Sequence, residues 1–102
     1  MKKLHRGKYY WHRDSSRKKM HPSYIYKKND KKNKYNIVCF TSQDGRGRSK
    51  LNKNINPRSD EPCYVWRTPR TSKRQAFGKE LNGFKVTDKQ DKELITYIKR
   101  NK

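Results

Sequence analysis

The alternation of apolar and polar residues is clearest in two neighbouring segments of the chain. HPSYIYKK, residues 21–28, puts Tyr24 and Tyr26 on one face of an extended strand and Ile25 on the other. After the polar turn NDKKNK, the segment YNIVCFT at 35–41 has apolar residues on both faces, which is typical of a central, covered strand. The two segments therefore predict an antiparallel hairpin whose second strand is buried.

Shorter elements follow. CYVWRT at 63–68 alternates as a third strand, and FKV at 84–86 fits a fourth strand at an edge. Segment 69–83 predicts only a short helical turn, whereas residues 88–100 predict an amphipathic C-terminal helix with acids early, basic residues late and one apolar face. Short strands, long loops and a terminal helix indicate an α+β domain, a small SH3-like, partly open antiparallel β-barrel.

The N-terminal residues 1–19 show no persistent period of 2 or 3.6. This pattern predicts a flexible, basic aromatic arm, followed by a single domain over residues 20–102. Tyr9, Tyr10 and Trp11 lie among the cations of the arm and would stack on the bases of a bound strand. The alternative is that these aromatic residues pack onto the barrel as a strand or a lid.

The charge of the chain indicates the class of partner. The formal net charge is +20 over 102 residues, and only 28% of residues are hydrophobic. Residues 1–34 carry +11 and residues 63–102 carry +7, while the middle segment carries +2. A polyanion would relieve the self-repulsion of such a chain and release counterions from itself. We therefore expect a nucleic-acid partner, RNA or DNA, bound through its phosphate backbone with little sequence preference.

Cations in the loops and after the third strand are the expected phosphate contacts. The loop SQDGRGRSK at 42–50 combines two glycines with basic side chains, which lets a phosphate approach the backbone. The predicted contacts are Arg46, Arg48, Lys50, Lys53, Arg67, Arg70, Lys73 and Arg74. An accessory protein of a phage or other mobile element fits this composition. Binding to an acidic protein or a ribonucleoprotein is an alternative.

Other chemistry has little support in the sequence. Cys39 and Cys63 lie in apolar runs and read as buried thiols, and the three histidines match no zinc spacing, so we expect no metal and no cofactor. The chain has neither a long apolar span nor the apolar run of a signal peptide. We expect a cytoplasmic protein without a membrane partner.

One family resemblance adds a catalytic alternative. HPSYIY followed by NIVCFTS, within residues 21–42, resembles the opening of the small PemK/MazF-type toxins, in which an Arg-Pro pair leads one strand and a hydroxyl residue ends the next. The resemblance implies metal-independent RNA cleavage, with His21 at the arginine position and Thr41 or Ser42 as the hydroxyl. His21 departs from the family pattern, and no second general acid or base is evident.

Binding without catalysis is therefore the leading hypothesis. The two hydroxyl residues also fit an ordinary strand end, where Thr and Ser commonly hydrogen-bond the local backbone.

Overall fold

A computed structural model describes residues 4–13, 19–29, 33–58 and 60–100 of the chain. Their strands are β1 Tyr9–His12, β2 His21–Asn29, β3 Lys34–Thr41, β4 Arg48–Lys50, β5 Tyr64–Trp66, β6 Arg70–Lys73 and β7 Phe77–Glu80. A 3-10 turn, Arg74–Ala76, joins β6 to β7, and the helix α1 spans Lys89–Arg100. The predicted α+β class and the C-terminal helix are confirmed.

The seven strands form one sheet in the order β4-β5-β3-β2-β1-β7, with β6 pairing beside β5 on β3. The strand pairs are antiparallel. Because β6 pairs with β3 and β7 pairs with β1, the single turn between β6 and β7 brings together the two sides of the five strands β7-β1-β2-β3-β6. The sheet is therefore curved into a partly open, barrel-like structure.

Strand β3 separates two hydrophobic cores, as its two apolar faces predict. The inner core, enclosed by the curved sheet, consists of Leu4, Tyr10, Ile25, Tyr35, Ile37, Cys39 and Phe77. The outer core, on the face that α1 covers, consists of Val38, Phe40, Leu51, Ile55, Cys63, Val65, Val86, Ile95 and Ile98. Ile37, Val38 and Phe40 are completely buried, so neighbouring residues of one strand serve both cores.

The structure of the N-terminal segment differs from the flexible arm that the sequence predicted. Strand β1 lies inside the sheet, paired with β2 on one side and β7 on the other. Upstream of it, the Gly7 N–H donates to the Ile25 carbonyl at 2.7 Å, and the Ile25 N–H donates to the Lys8 carbonyl at 3.1 Å. The predicted flexible arm is therefore wrong for residues 4–13. These residues follow the alternative, a strand packed onto the barrel, because Leu4 and Tyr10 fill the inner core.

The C-terminal part also differs in detail from the sequence pattern. Residues 84–86 form no strand, and β7 at 77–80 takes the edge position instead. Asp88 is the N-cap of α1, since its Oδ1 accepts the Asp91 N–H at 3.1 Å. This hydrogen bond, followed by one from the Asn52 side chain, lowers the pKa of Asp88.

A buried carboxylate attaches the helix to the loop after β4. Asp91 is almost fully buried, and its two oxygens accept the backbone N–H groups of Asn52 at 2.8 Å and Lys53 at 3.0 Å. The Asn52 side chain completes the contact by donating to Asp88 Oδ1 at 3.0 Å. These bonds fix the start of α1 over the outer core. Within the described residues, no helix is long and apolar enough to cross a membrane.

Candidate nucleic-acid interface

The positive charge of the protein lies on the strands as well as in the loops. The seven strands contain eight Lys or Arg residues and a single carboxylate, Glu80 of β7. The strand cations are Lys27, Lys28, Lys34, Arg48, Lys50, Arg70, Lys73 and Lys79. The sheet therefore supplies a rigid support for cationic side chains.

Three of these lysines lie on one face at the junction of β2, β3 and β6. Lys34 is directly opposite Lys73, and Lys27 is opposite Asn36, which is itself opposite Thr71. Opposite residues of antiparallel strands, and residues two apart along one strand, share a face. The Thr71 hydroxyl donates to Asn36 Oδ1 at 3.0 Å, which joins β3 to β6 on that face. We call these five residues the basic strand face.

The electrostatics of the basic strand face are unfavourable in the free protein. Directly opposite side chains have Cβ atoms about 4.5–5.5 Å apart, and like charges at that separation are destabilising. Strands β2, β3 and β6 contain no Asp or Glu, so no strand carboxylate neutralises Lys34 and Lys73. Lys73 is exposed and Lys34 is half-buried. This arrangement is suited to an anion placed between them.

The hairpin of β4 and β5 forms a second basic region, in which Arg48 has a structural role. Its guanidinium lies 4.2 Å from the centroid of the Trp66 ring, a cation–π contact. Its Nη1 also donates to the carbonyls of Gln43 at 2.7 Å and Asp44 at 3.2 Å, which holds the loop 42–50 in place. Arg48 is therefore engaged by the protein itself, rather than projecting as a simple phosphate contact.

The remaining predicted contacts are distributed over several surfaces. Arg46, Lys50 and Arg67 are exposed on the β4–β5 hairpin, and Lys53 is exposed beside the start of α1. Arg70 lies opposite Ile37, so it projects from the other face of β6 than Lys73 does. The eight predicted cations therefore do not form one continuous surface.

Sequence reasoning did not include Lys27 and Lys34 among the candidate interface residues. Both flank the turn of the predicted hairpin, and the lysine-rich pattern KK…NK around that turn was the available signal. What the sequence could not supply was the pairing of β3 with β6, which puts Lys73 beside Lys34.

The predicted base-stacking residues are mostly inside the protein. Tyr10 is 4% exposed and Trp11 is 7% exposed, and the guanidinium of Arg58 covers the Trp11 ring at 4.2 Å. Both rings are almost fully buried, so little of either ring is available for stacking on a base, and the stacking role stays a prediction. Tyr9 is half-buried against Tyr24, with ring centroids 4.9 Å apart, and desolvation by burial raises its pKa to about 12.

A groove opens at the mouth of the inner core, between the N-terminal segment and the β6–β7 connection. Its volume is about 950 Å³. It is lined by Leu4, His5, Tyr10, Arg74, Phe77, Gly78, Lys79, Glu80 and Asn82. One predicted phosphate contact, Arg74, therefore lines the same groove as the carboxylate of Glu80.

The residues implied by the toxin resemblance lie at one end of the sheet. β2 begins at His21 and β3 ends at Thr41, and antiparallel pairing brings these ends to the same edge. Thr41 is 3% exposed, and its Oγ1 accepts the Gln43 N–H at 3.3 Å, as expected for a strand-end hydroxyl. Ser42, the other candidate hydroxyl, is half-buried directly after the strand.

A histidine pair lies beside that edge. His21 is paired with His12 of β1 in the strand register. The His12 Nε2 is hydrogen-bonded to the Ser72 Oγ of β6 at 2.9 Å, and its ring lies 5.1 Å from that of Phe77. Since β1 and β6 are not paired in the sheet, this bond connects the two strands across the barrel.

The cysteines and the potential metal ligands are the remaining candidate chemistry. Cys39 and Cys63 are buried thiols, as predicted, and burial raises the pKa of Cys63. In the part of the chain that the structure describes, no three His, Cys, Asp or Glu residues form a group that could hold a metal ion. No family model matches the chain, and no curated protein matches it significantly.

Proposed function

We propose that this protein binds nucleic acid through the phosphate backbone, with the basic strand face as the centre of the contact. The observation that carries the proposal is the placement of Lys34 directly opposite Lys73 on strands without a carboxylate. Like charges in this position cost free energy in the free protein. A phosphate between the two ammonium groups converts that repulsion into two attractive contacts.

The same proposal assigns the scaffold to the SH3-like barrels. The strand path β7-β1-β2-β3-β6, closed by a 3-10 turn between β6 and β7, supports this assignment. The hairpin of β4 and β5 is then an insertion between the third and fourth strands of the barrel. As part of the proposal, the protein acts in the cytoplasm as an accessory protein of a phage or other mobile element.

The first test is a binding titration at several salt concentrations. Purified protein is titrated into labelled single-stranded RNA, single-stranded DNA and duplex DNA in EDTA, and binding is followed by fluorescence anisotropy. Neutralising three phosphates predicts a slope of about −2 to −3 in a plot of log K against log salt concentration. A binding constant that does not change with salt would refute the proposal.

A matched pair of variants locates the contact. The first variant replaces Lys27, Lys34 and Lys73 with Gln, and the control replaces Lys85, Lys89 and Lys92 with Gln. Both lower the net charge by three, but the control residues lie on and before α1. We expect the slope of log K against log salt concentration to become less negative by about 2 in the first variant and by less in the control. Equal losses would show that overall charge, not the basic strand face, drives binding.

The catalytic alternative is tested in the same mixtures. The observation that favours it is the meeting of the ends of β2 and β3, which bear His21 and Thr41. RNA that remains intact on a denaturing gel in EDTA supports binding without cleavage. Fragments that disappear with His21→Ala and with Thr41→Ala would support the ribonuclease. Failure to bind any nucleic acid at low salt would favour an acidic protein partner.

A further inference from the structure

The groove at the mouth of the inner core is chemically different from the basic strand face. We propose, building on the proposed function, that this groove takes one unpaired nucleotide of a single-stranded nucleic acid whose base carries an exocyclic amino group. Cations at its edge contact the phosphate, its floor contacts the base, and Glu80 accepts hydrogen bonds from the base edge.

The size of the groove fits a single nucleotide. Its volume of about 950 Å³ lies in the range of small-molecule sites, roughly 300–1,000 Å³, and is too small to admit a duplex. Mouths of β-barrels are frequent places for such sites. A nucleotide can reach it only when unpaired and turned away from its neighbours, which is the form in which proteins usually recognise RNA bases.

Two cations lie where the phosphate would be. Arg74 is half-buried, and its Nη1 donates to the Phe77 carbonyl at 3.3 Å, which holds the guanidinium at the edge of the groove. Lys79, two residues after Phe77, is exposed on the same wall. An arginine fork and a nearby ammonium group are a common combination for binding phosphate.

The floor of the groove is aromatic and firmly held. The rings of Tyr10 and Phe77 meet edge-to-face, with centroids 6.5 Å apart. The backbone N–H of His5 donates to the Tyr10 hydroxyl at 3.0 Å, which fixes the N-terminal segment against the floor. The imidazole of His5 is itself exposed at the rim and can cover the other face of a base.

The carboxylate of Glu80 determines what kind of ligand fits. Glu80 is opposite Tyr10 in the β1–β7 ladder, so both side chains lie on the groove face. A carboxylate repels a simple phosphate ligand but accepts hydrogen bonds from amino groups. A nucleotide with an amino-bearing base satisfies both the cations and Glu80, whereas uracil presents carbonyl oxygens at the corresponding positions.

The test compares RNA octamers of cytosine, adenine and uracil with a duplex of equal length, by anisotropy at one salt concentration. We expect the cytosine and adenine octamers to bind about tenfold more tightly than the uracil octamer, because one well-made hydrogen bond changes the affinity by about that factor. Glu80→Gln should abolish this preference, because the amide replaces one acceptor with a donor that uracil can use.

Charge variants test the phosphate end of the groove. Lys79→Gln and Arg74→Gln should weaken binding of the single strands several-fold and leave duplex binding unchanged. Lys85→Gln, with the same loss of charge, should leave the difference between single strands and duplex as it is. Lys79 is exposed and keeps the test valid if Arg74→Gln unfolds.

The possible outcomes separate this inference from the proposed function. Equal binding of all octamers, with no effect of Glu80→Gln, would overturn the groove assignment but leave salt-dependent binding by the basic strand face intact. Failure of every octamer and of the duplex to bind at low salt would overturn both. If Glu80→Gln loses the preference for cytosine and adenine over uracil but still binds the duplex, the result supports the nucleotide site in the groove as separate from the basic strand face.

Discussion

Replacing Lys34 with Glu should stabilise the free protein and weaken its binding to nucleic acid. The substitution changes a like-charge pair with Lys73 into an opposite-charge pair across the β3–β6 ladder. A lysine whose only role is in folding would not show opposite changes in stability and nucleic-acid affinity when it is replaced with Glu. Stability and affinity are therefore expected to move in opposite directions in one variant.

The size of the stability change follows from the positions of the two residues. A cross-strand charge pair contributes about 0.2–1 kcal/mol, and Lys34→Glu both removes a repulsion and adds an attraction. Lys73 is exposed and Lys34 is half-buried, so solvent screening keeps the total near 1 kcal/mol. For a domain of this size that is a rise in Tm of about 4–8 °C. The variant also loses one phosphate contact, so the slope of log K against log salt concentration should become less negative by about 1.

Thermal unfolding followed by circular dichroism measures the stability, and anisotropy with labelled single-stranded RNA measures the affinity. The melts are run at about 0.01 M and about 1 M salt, because the Debye length falls from about 30 Å to about 3 Å between them. The gain in Tm should be present at low salt and largely absent at high salt.

Lys85→Glu is the control, since Lys85 is exposed outside the sheet and the substitution changes the net charge equally. The reasoning is refuted if Lys34→Glu melts no higher than this control at low salt. It is equally refuted if Lys34→Glu binds RNA as the unsubstituted protein does.

Three further predictions concern contacts that stabilise the fold. Asp91→Ala leaves two backbone N–H groups without their acceptor and should cost about 2–4 kcal/mol in urea unfolding; a loss below about 1 kcal/mol would contradict this. Burial raises the pKa of Tyr9 to about 12, so its contribution to stability is complete below pH 10 and is lost as pH rises from there through 12. The stability difference between the protein and Tyr9→Phe should shrink over that range, and a constant difference would argue against the buried phenol. Arg48→Ala should speed hydrogen exchange of the Arg67 amide, which donates to the Gly47 carbonyl, and unchanged exchange would show that Arg48 does not hold the loop.

The sequence predicted the strands whose apolar pattern is long enough to define both faces. In β3, Ile37 and Val38 point to opposite cores, and an eight-residue strand shows this alternation several times. The helix was equally clear, because three apolar residues share one face of twelve residues. The two-core arrangement follows directly from the pattern of β3.

The N-terminal strand could not be predicted for the converse reason. β1 has only four residues, YYWH, which is too short to show a period, and basic residues surround it. Its burial depends on partners distant in the chain, since Tyr10 is opposite Ser23 on one side and Glu80 on the other. Tertiary pairing of this kind is not encoded in local alternation.

The candidate site was hidden for a related reason. The sequence shows that the chain is basic, but not that Lys34 and Lys73, 39 positions apart, are opposite each other. The groove likewise combines His5 with residues 74–82, which meet only when β7 pairs with β1. Charge density leads only to the expectation of a polyanionic ligand, whereas the strand register determines where the charges meet.

One strand therefore carries both the core and the proposed interface. Val38 and Phe40 of β3 are held by β2, β5 and the outer core, and this rigidity extends to Lys34 at the other end of the strand. Because β2 and β6 fix the backbone, Lys34 and Lys73 stay opposite each other in the ladder, and a phosphate bound between their ammonium groups would relieve the repulsion. Binding and folding are then thermodynamically linked, so saturating nucleic acid should raise the Tm of the protein. That rise should be smaller in Lys34→Glu, because the variant has already lost the repulsion that the ligand would relieve.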